Sequence, residues 1–370
     1  MPPRTSASSA FGVAADTLNI VAALDIREDV PLAPFTTFGI GGPARFFTQA
    51  ASEADVAAAV AWARERDLPL FVLGGGSNLL VSDSGFPGLV LHIALRGIQQ
   101  NGTLFDVAAG ESCDAFVDHA LALDMAGIEC LAGIPGSVGG TPVQNVGAYG
   151  QEVAETVESV RAFDLRHPDR EADAFVELPR ALCRFRYRES LFNTDQPGRY
   201  IVTHVRFRLR PHGAPSLRYA ELQRSLAHRP DPSLAEVAAA VRELRRRKGM
   251  LLVPGDPDCR SAGSFFKNPI VAAADLSRIA AAAGVAPGDI PQWPAANQRI
   301  KLPAAWLLER AGFRKGFADG AAGLSSRHTL ALINRGGATS ADIVRLQDHI
   351  IATVSTKFGL TLEREPVLLG

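Results

Sequence analysis

The sequence predicts a protein of the α+β or α/β class with two or three domains, each large enough to bury a core of its own. Three observations support this prediction: the length of 370 residues, short apolar strands that alternate with amphipathic helices, and glycine-rich turns between them. Hydrophobic residues make up 47% of the chain and charged residues 21%, which is the ordinary composition of a globular protein.

The first predicted elements are a helix and two strands around a glycine turn. A capping box from Ser52 to Asp55 opens a helix over 52–67. The apolar run "LPLFVL" leads as a strand into "GGGSN" (74–78), and "GLVLHI" (88–93) is the next strand. A helix, a strand, a glycine turn and another strand in this order are typical of α+β and α/β folds.

The rest of the chain continues the mixture of strands and helices. After a strand at 103–110 and a helix at 113–127 comes a glycine-rich stretch, 131–150. The patterns that follow predict strands at 155–165 and 199–210 and helices at 216–226 and 233–248. Prolines and glycines in 251–263 indicate a domain boundary. Beyond it we expect helices near 274–284, 303–312 and 338–359, and strands at 328–334 and 360–370.

The charge pattern argues against a nucleic-acid or membrane partner. The chain has 38 Lys+Arg and 39 Asp+Glu, so no global positive field attracts nucleic acid. The one basic run, "RELRRRK" (242–248), is interpreted as the solvated face of a helix. No stretch approaches 18 consecutive apolar residues, so we expect no membrane-spanning helix.

The cysteines and the N-terminus predict a cytoplasmic protein. Four widely spaced cysteines suggest neither a zinc site nor a disulfide framework, and this fits a reducing compartment: Cys113, Cys130, Cys183 and Cys259. The histidines form no H-E-x-x-H motif, so no dedicated metal site is expected. Residues 1–25 are predicted to be a flexible tail rather than a signal peptide, because Asp16 and Asn19 interrupt the apolar stretch.

Two glycine clusters are the first candidate for a binding site. Glycine lets backbone N–H groups approach an anion without a Cβ in the way. We expect "GGGSN" to cradle a pyrophosphate, with Ser77 and Asn78 as further donors. The stretches "GIPGSVGG" (133–140) and "QNVGAYG" (144–150) then form a second wall against a large planar ligand. The structural alternative is a pair of tight turns.

Other motifs are excluded by their context. "GIGGPA" (39–44) matches G-x-G-x-x-A, but Pro43 and the strand-like 45–50 follow where a dinucleotide site needs a helix. Ser264, in "SAGSFFKNP" (261–269), lacks the G-x-S-x-G motif, so a serine hydrolase has little support. From the residues alone Ser264 is a nucleophile, a phosphate ligand, a proton donor or a turn residue.

Seven motifs, in this order, carry a resemblance to a known family. They are "APFTTFGIGG", "LGGGSNLLVSDSGFPGLVL", "GIPGSVGGTPVQNVGAYGQEV", "CRFRYRESLF", "SAGSFFKNP", "AAWLLERAGF" and "LEREPVLLG". Over residues 30–370 the chain resembles the UDP-N-acetylenolpyruvoylglucosamine reductases, the MurB flavoenzymes of bacterial peptidoglycan synthesis. "LRYAELQ" is similar to the extra segment of one subtype, with Tyr219 as its substrate-binding tyrosine.

The resemblance implies a three-domain fold. Residues 26–95 and 96–253 would form the two halves of an FAD-binding fold of the vanillyl-alcohol-oxidase/PCMH type, the second with the tyrosine-bearing insertion at about 213–250. Residues 254–370 would form an α+β substrate-binding domain, whose terminal strand, 360–368, returns to the active site.

The resemblance also implies the reaction, its cofactors and its partners. NADPH reduces FAD, and the flavin passes hydride to the methylene carbon of an enolpyruvyl ether, giving the lactyl ether of UDP-N-acetylmuramate. The partners are these small molecules, without nucleic acid or membrane, and the enzyme is expected to be a monomer. The implied FAD-binding residues are Gly74, Gly75, Gly76, Ser77, Asn78, Leu79, Gly133, Ile134, Pro135, Gly136, Val138, Gly139, Gly140, Gln144, Asn145, Gly147, Ala148 and Tyr149.

Three residues match the catalytic positions of the family. Arg188 would grip the substrate carboxylate with two parallel hydrogen bonds, and Arg184 and Arg186 are its rivals in sequence. Ser264 would give a proton to the carbanion-like enol, for which a weak acid suffices and no histidine partner is needed. Glu365 would stabilise or protonate the enol; Glu363 is the runner-up, since both face one side of a strand.

The implied substrate-binding residues are less specific. They are Tyr187, Tyr219, Lys248, Asn268 and His328. Two other functions stay open: a flavin oxidoreductase of the same fold with a different substrate, and a sugar-nucleotide-binding protein without catalysis. The combination of flavin loops, Ser264, Arg188 and a terminal glutamate argues against both.

Overall fold

The computed structural model describes residues 24–167 and 174–370. The flexible tail predicted over 1–25 lies outside the described residues except for positions 24 and 25. In the described part, no helix combines the length and the apolar character needed to cross a bilayer.

A four-stranded sheet with one helix forms the first part of the described chain. Its elements, with a separate strand β4, are β1 (Arg27–Pro31), β2 (Pro43–Ala50), α1 (Glu53–Arg64), β3 (Leu70–Leu73), β4 (Leu79–Val81) and β5 (Phe86–Ile93). The strand order is β1-β2-β5-β3, and β5 runs parallel to both of its neighbours. Five of the eight residues of β5 are buried. Strands with parallel neighbours on both sides are commonly buried in this way.

Local signals define α1 and exclude a dinucleotide turn before it. The Ser52 capping box is present, because Ser52 Oγ accepts the Asp55 N–H and the Asp55 carboxylate accepts the Ser52 N–H. The predicted end at 67 is wrong, since the helix stops at Arg64 and Asp67 has a left-handed φ of 50°. "GIGGPA" leads into β2, so the strand predicted at 45–50 is confirmed.

A five-stranded antiparallel sheet forms the middle of the chain. Its order is β12-β11-β13-β7-β6. The elements are β6 (Ile98–Asn101), β7 (Leu104–Ala108), α2 (Cys113–Ala122), β8 (Met125–Ala126), β9 (Gly147–Ala148), β10 (Gln151–Glu152), β11 (Val157–Asp164), β12 (Phe175–Pro179), β13 (Tyr200–Arg208) and β14 (Arg210–Pro211). The prediction of a helix to 127 is wrong beyond Ala122: Asp124 is left-handed, with φ 53°, and β8 pairs with β14.

Two helices follow, α3 (Ala220–Ser225) and α4 (Leu234–Arg247). The predicted cap of α4 is confirmed, since Ser233 and Glu236 form a capping box. The prediction that "RELRRRK" is a solvated face is correct for Arg246 and Arg247, which are exposed, and wrong for Arg245, which is 9% exposed. The basic run therefore has one inward-facing member.

The last part of the chain packs three helices against two small sheets. Its elements are β15 (Ile270–Ala272), α5 (Leu276–Ala283), β16 (Trp293–Pro294), β17 (Arg299–Lys301), α6 (Ala304–Ala311), β18 (Ala318–Asp319), β19 (Ala322–Leu324), β20 (Leu332–Asn334), α7 (Ser340–Phe358) and β21 (Val367–Leu369). Leu307, Ile343 and Phe358 are fully buried in its core. The predicted terminal strand at 360–370 is regular only in β21, which pairs parallel with β4 and brings the chain end back to the first sheet.

Candidate active site

The two predicted glycine clusters lie against each other. A Cβ added to Gly75 would lie 2.5 Å from the Cα of Gly136, and one added to Gly74 would lie 2.7 Å from Ser137 Oγ. Ser77 Oγ donates a hydrogen bond to the carbonyl of Pro135 at 3.0 Å. These contacts join the loops that the sequence analysis had assigned to one ligand, and side chains at the glycines would prevent them.

A cavity of about 240 Å³ opens beside the paired loops. Its lining includes Gly74, Gly75, Gly136 and Ser137 from the loops, and His92 and Arg96 from the end of β5 and the turn after it. Glycine backbone, a serine hydroxyl and an arginine are the groups that bind phosphate oxygens. The residues present therefore fit a diphosphate-bearing cofactor such as FAD.

Asn78 connects the glycine loops to the C-terminal segment. Its Nδ2 donates to Gln144 Oε1 at 2.8 Å and to the carbonyl of Glu365 at 3.2 Å. The Asn78 carbonyl accepts the N–H of Val367 at 3.0 Å. Glu365 is thus fixed directly beside the cofactor loops, although it lies 287 residues away from Asn78 in sequence.

The "SAGSFFKNP" segment lies antiparallel to the same C-terminal segment. The Glu365 N–H donates to the carbonyl of Phe265 at 2.8 Å, and the Lys267 N–H donates to that of Glu363 at 2.9 Å. The predicted anchors are confirmed, because Phe265 and Phe266 are each 1% exposed. Ser264 is half-buried, and within the described residues its hydroxyl has no hydrogen-bond partner. Its O–H is therefore free to donate to a ligand.

Arg188 contacts both Glu365 and the second glycine cluster. Its Nε lies 3.1 Å from Glu365 Oε1 in an ion pair, and these side chains are 20% and 14% exposed. Its NH2 donates to the carbonyl of Gly147 at 2.8 Å, so the guanidinium also contacts the second glycine cluster. Its backbone is left-handed, with φ 59°, an unfavourable conformation for a side chain of this size.

The geometry distinguishes Arg188 from its two rivals. Arg184 has a side chain 62% exposed and lies 3.5 Å from Asp195. Arg186 is 46% exposed and forms ion pairs with Asp195 and Glu189 at 2.8 Å and 2.9 Å. Only Arg188, of these three arginines, reaches both Glu365 and the glycine loops.

Glu365 and Glu363 have different surroundings. Burial raises the pKa of Glu365, and the positive charges of Arg188 and Lys267 offset this only in part. Glu363 is 70% exposed, with its carboxylate 2.5 Å from Lys267 Nζ. The carboxyl group with a perturbed pKa beside the other candidate residues is therefore that of Glu365.

Lys301 was missed by the sequence analysis. Its Nζ lies 4.6 Å from the centre of the Tyr187 ring and 6.0 Å from that of Trp293. Burial lowers its pKa, and the nearby charge of Arg188 acts in the same direction. The pairing of β16 with β17 places Trp293 opposite Lys301, and no sequence motif signals that contact.

Tyr187 and Asn268 are both close to this cluster. The Arg188 guanidinium lies 5.4 Å from the centre of the Tyr187 ring. Burial raises the pKa of Tyr187, and the positive charge of Arg188 acts against that rise. Asn268 Oδ1 accepts the first N–H of α6, from Ala304, at 2.9 Å. One face of Asn268 therefore has a structural role at the start of a helix.

Three of the predicted substrate-binding residues form a second cluster. The rings of Tyr219 and Tyr149 are edge-on at 5.4 Å, and Lys248 Nζ lies 5.5 Å from the centre of the Tyr149 ring. Lys248 also forms an ion pair with Glu221 at 2.5 Å. Burial and the charges of Lys248 and Lys315 lower the pKa of His328 to about 4. His328 is therefore neutral at pH 7, and its Nδ1 accepts the Leu330 N–H.

Arg245 was also missed as a contributor to the site. Its Nε donates to the carbonyl of Gly133 at 3.0 Å and its NH2 to that of Met250 at 2.7 Å. The Gly133 N–H in turn donates to Asp114 Oδ1 at 2.6 Å. The carbonyl and the N–H of Gly133 are thus both hydrogen-bonded, and these bonds fix the start of the second glycine cluster. Only the position of Arg245 on the inner face of α4 could have indicated this.

Comparisons with known proteins agree with the fold and the loops. A family model described as an FAD binding domain matches residues 44–166. A second, described as the UDP-N-acetylenolpyruvoylglucosamine reductase C-terminal domain, matches residues 256–369. The fold and its paired glycine loops define an FAD-dependent oxidoreductase that combines helices and sheets.

Full-length relatives give the family. The chain is 46% identical to the UDP-N-acetylenolpyruvoylglucosamine reductase of Streptomyces coelicolor over 99% of this chain and 95% of that protein. It is 39% identical to that of Pseudomonas aeruginosa over 93% and 99% of the two chains. The crystal structure of the Thermus caldophilus reductase (MurB) superposes with a TM-score of 0.62 at 26% identity, covering 94% and 99%. The chain belongs to the UDP-N-acetylenolpyruvoylglucosamine reductase family.

Proposed function

We propose that this enzyme reduces UDP-N-acetylenolpyruvoylglucosamine to UDP-N-acetylmuramate, with NADPH as reductant, in the synthesis of peptidoglycan precursors. The observation that supports this most strongly is the ion pair of Arg188 with Glu365 beside the paired glycine loops, together with the backbone bond that holds Glu365 to Phe265, the residue after Ser264. Arg188, Glu365 and Ser264 supply the groups that reduction of a carboxylate-conjugated double bond requires: a cation, an acid and a proton donor.

The residues proposed to hold FAD are those of the two glycine clusters. Gly74, Gly75, Gly136 and Ser137 of these clusters line the cavity and supply glycine backbone and a hydroxyl there. Asn78 and Gln144 of the same clusters bond to each other beside Glu365. FAD held there would supply the transfer of hydride from NADPH to the methylene carbon of the substrate. The protein must then stabilise the charge that develops on the substrate and supply one proton to the neighbouring carbon.

Arg188 is proposed to bind the substrate carboxylate, because its guanidinium lies beside both Glu365 and the glycine loops. A second carboxylate next to the same guanidinium favours protonation of Glu365, whose pKa burial already raises. A protonated Glu365 can donate a hydrogen bond to the developing negative charge. Ser264, whose hydroxyl is free, is proposed to protonate the carbon.

Tyr219, Lys248 and His328 are proposed to bind the UDP part of the substrate, with Tyr187 and Asn268 nearer to the reacting end. The Tyr219, Lys248 and Glu221 contacts belong to the insertion at about 213–250, which supports the subtype with the extra tyrosine-bearing segment. His328 is proposed to contact substrate as a neutral group through Nε2, because its Nδ1 is already bonded to the Leu330 N–H.

We further propose that the enzyme is a cytoplasmic monomer divided near residues 95 and 253 into three domains. The three sets of sheets, over 27–93, 98–211 and 270–334, support the division. Sedimentation of the purified enzyme tests the monomeric state. The cysteines are buried thiols, which is compatible with a reducing compartment.

A spectrum and a turnover assay together test the function. The purified protein should show bound flavin and should oxidise NADPH much faster when the enolpyruvyl sugar nucleotide is present. A protein that binds no flavin contradicts the proposal. Bound flavin without substrate-dependent turnover indicates an oxidoreductase of the same fold with another substrate.

Activity is expected to fall as pH rises through the raised pKa of Glu365. The reason is that the protonated carboxyl donates a hydrogen bond to the enolate, and ionisation removes that donor. Glu365→Gln, whose amide keeps a donor at all pH values, should flatten this limb of the profile of kcat against pH. Glu363→Gln is the matched control and should retain it, because Glu363 is exposed. A Glu365→Gln profile identical to wild type would contradict this role.

Glu221→Gln is expected to lower the KM for the UDP-sugar by a factor of about three to ten. Glu221 neutralises Lys248 at 2.5 Å, and the substrate diphosphate must compete with that carboxylate for the lysine. The matched control is Glu243→Gln on α4, whose partners Arg246 and Arg247 are exposed, and it should leave KM unchanged. A raised KM for Glu221→Gln would show that Glu221 positions Lys248 and does not compete with the substrate.

A further inference from the structure

The cavity beside the glycine loops contains a cation that no motif of the sequence indicated. Arg96 lies in the turn between β5 and β6 and lines the cavity together with Gly136 and Ser137. The remaining lining is glycine backbone, serine, one histidine and one isoleucine. Among the described residues that line this cavity, Arg96 is thus the one with a permanent charge.

The lining determines which part of FAD fits. A flavin ring or an adenine needs apolar or aromatic walls, and Ile93 is the one apolar side chain that lines this cavity. Phosphate oxygens need glycine N–H groups, hydroxyls and a guanidinium, which together are the groups present. His92 adds no charge, because burial and the neighbouring Arg96 lower its pKa.

The environment of Arg96 leaves its guanidinium available. Its side chain is 64% exposed, and its ion pair with Glu111 is loose, with NH1 3.4 Å from Oε2. The other oxygen of Glu111 accepts the N–H of Gly97 at 2.7 Å, so this carboxylate is fixed by the backbone. A diphosphate in the cavity could therefore take Arg96 as a partner without disrupting the fold.

We propose that this cavity receives the diphosphate of FAD and that Arg96 is its ionic ligand. The proposal rests on the FAD-dependent function and adds a residue outside both glycine clusters. It predicts that Arg96 determines how tightly the cofactor is held and how strongly salt weakens its binding. It assigns Arg96 no part in the reaction with the substrate.

The test is FAD release from the holoenzyme. Purified holoenzyme is diluted into buffers of rising NaCl concentration, and free flavin is measured by its fluorescence. Arg96→Gln should raise the dissociation constant of FAD about tenfold at low salt and show a smaller salt dependence. Arg96→Lys should recover part of the affinity. Arg45→Gln, an exposed arginine of β2 outside the cavity, should behave as wild type.

Competition identifies the part of the cofactor that Arg96 holds. ADP carries the diphosphate without the flavin, and riboflavin carries the flavin without phosphate. ADP should compete with FAD about tenfold less effectively on Arg96→Gln than on wild type, whereas riboflavin should compete equally on both. The visible spectrum of Arg96→Gln saturated with FAD should be that of wild type.

Two results would overturn the role of Arg96 and leave the proposed function intact. One is FAD retention in Arg96→Gln equal to that of wild type. The other is a change in competition by riboflavin with no change in competition by ADP. A wild-type protein that takes up no FAD would contradict both the proposed function and the role of Arg96. The two failures are therefore distinguishable.

Discussion

Replacing Ser264 by alanine is expected to leave the reduction of FAD by NADPH unchanged and to slow the reoxidation of the flavin by substrate by a factor of about 10² to 10⁴. The Ser264 hydroxyl has no partner within the described chain and lies one residue from Phe265, whose carbonyl holds the Glu365 N–H. Its loss removes the proton donor and leaves the cofactor loops intact. Stopped-flow measurement of the two half-reactions checks this.

Ser77→Ala is the control for loss of a serine hydroxyl near the cofactor. Ser77 Oγ bridges the two glycine clusters through Pro135, so its removal should weaken the retention of FAD. Molecules of this variant that keep FAD should be reoxidised by substrate at the wild-type rate. Slow flavin reduction with normal reoxidation in Ser264→Ala would contradict the role given to Ser264.

Replacing Arg188 by lysine is expected to lower kcat/KM by a factor of about 10² to 10³. Lysine keeps the positive charge near Glu365 but cannot bind a carboxylate with two parallel hydrogen bonds. The single ammonium group of lysine also cannot replace a planar guanidinium that contacts Glu365 through Nε and the Gly147 carbonyl through NH2. Steady-state kinetics with the enolpyruvyl sugar nucleotide gives the value.

Arg184→Lys is the matched control, because Arg184 lies in the same motif and is 62% exposed. Its kcat/KM should stay within about threefold of wild type, as expected for an exposed ion pair. An equal and small effect of both substitutions would contradict the assignment of Arg188. A large decrease in kcat/KM for Arg184→Lys alone would indicate that Arg184, and not Arg188, binds the substrate carboxylate.

Much of the fold could be predicted because local signals determine it. The capping boxes at Ser52 and Ser233 gave the starts of α1 and α4, and apolar periodicity gave most of the longer strands. The ends were less predictable, since single left-handed residues such as Asp124 stop a helix that its composition would allow to continue. Very short strands such as β16 and β18 depend on tertiary pairing and leave no periodic pattern.

The site was predictable where motifs mark it and unpredictable where it depends on distant contacts. The glycine clusters and the "SAGSFFKNP" segment stand out as local composition. Lys301, Arg245 and Arg96 do not, because each enters the site through packing between elements far apart in sequence. The choice between Glu363 and Glu365 also needed three-dimensional contacts, since strand periodicity treats the two residues alike.

The most direct test of the proposed catalytic function is an anaerobic single turnover. The enzyme is reduced with one equivalent of NADPH, mixed with UDP-N-acetylenolpyruvoylglucosamine, and followed by the absorbance of oxidised flavin and by analysis of the product. We expect full return of oxidised flavin with one equivalent of UDP-N-acetylmuramate, and almost no return on the same timescale in Ser264→Ala. Flavin that stays reduced in the wild-type enzyme after substrate is added would contradict the account.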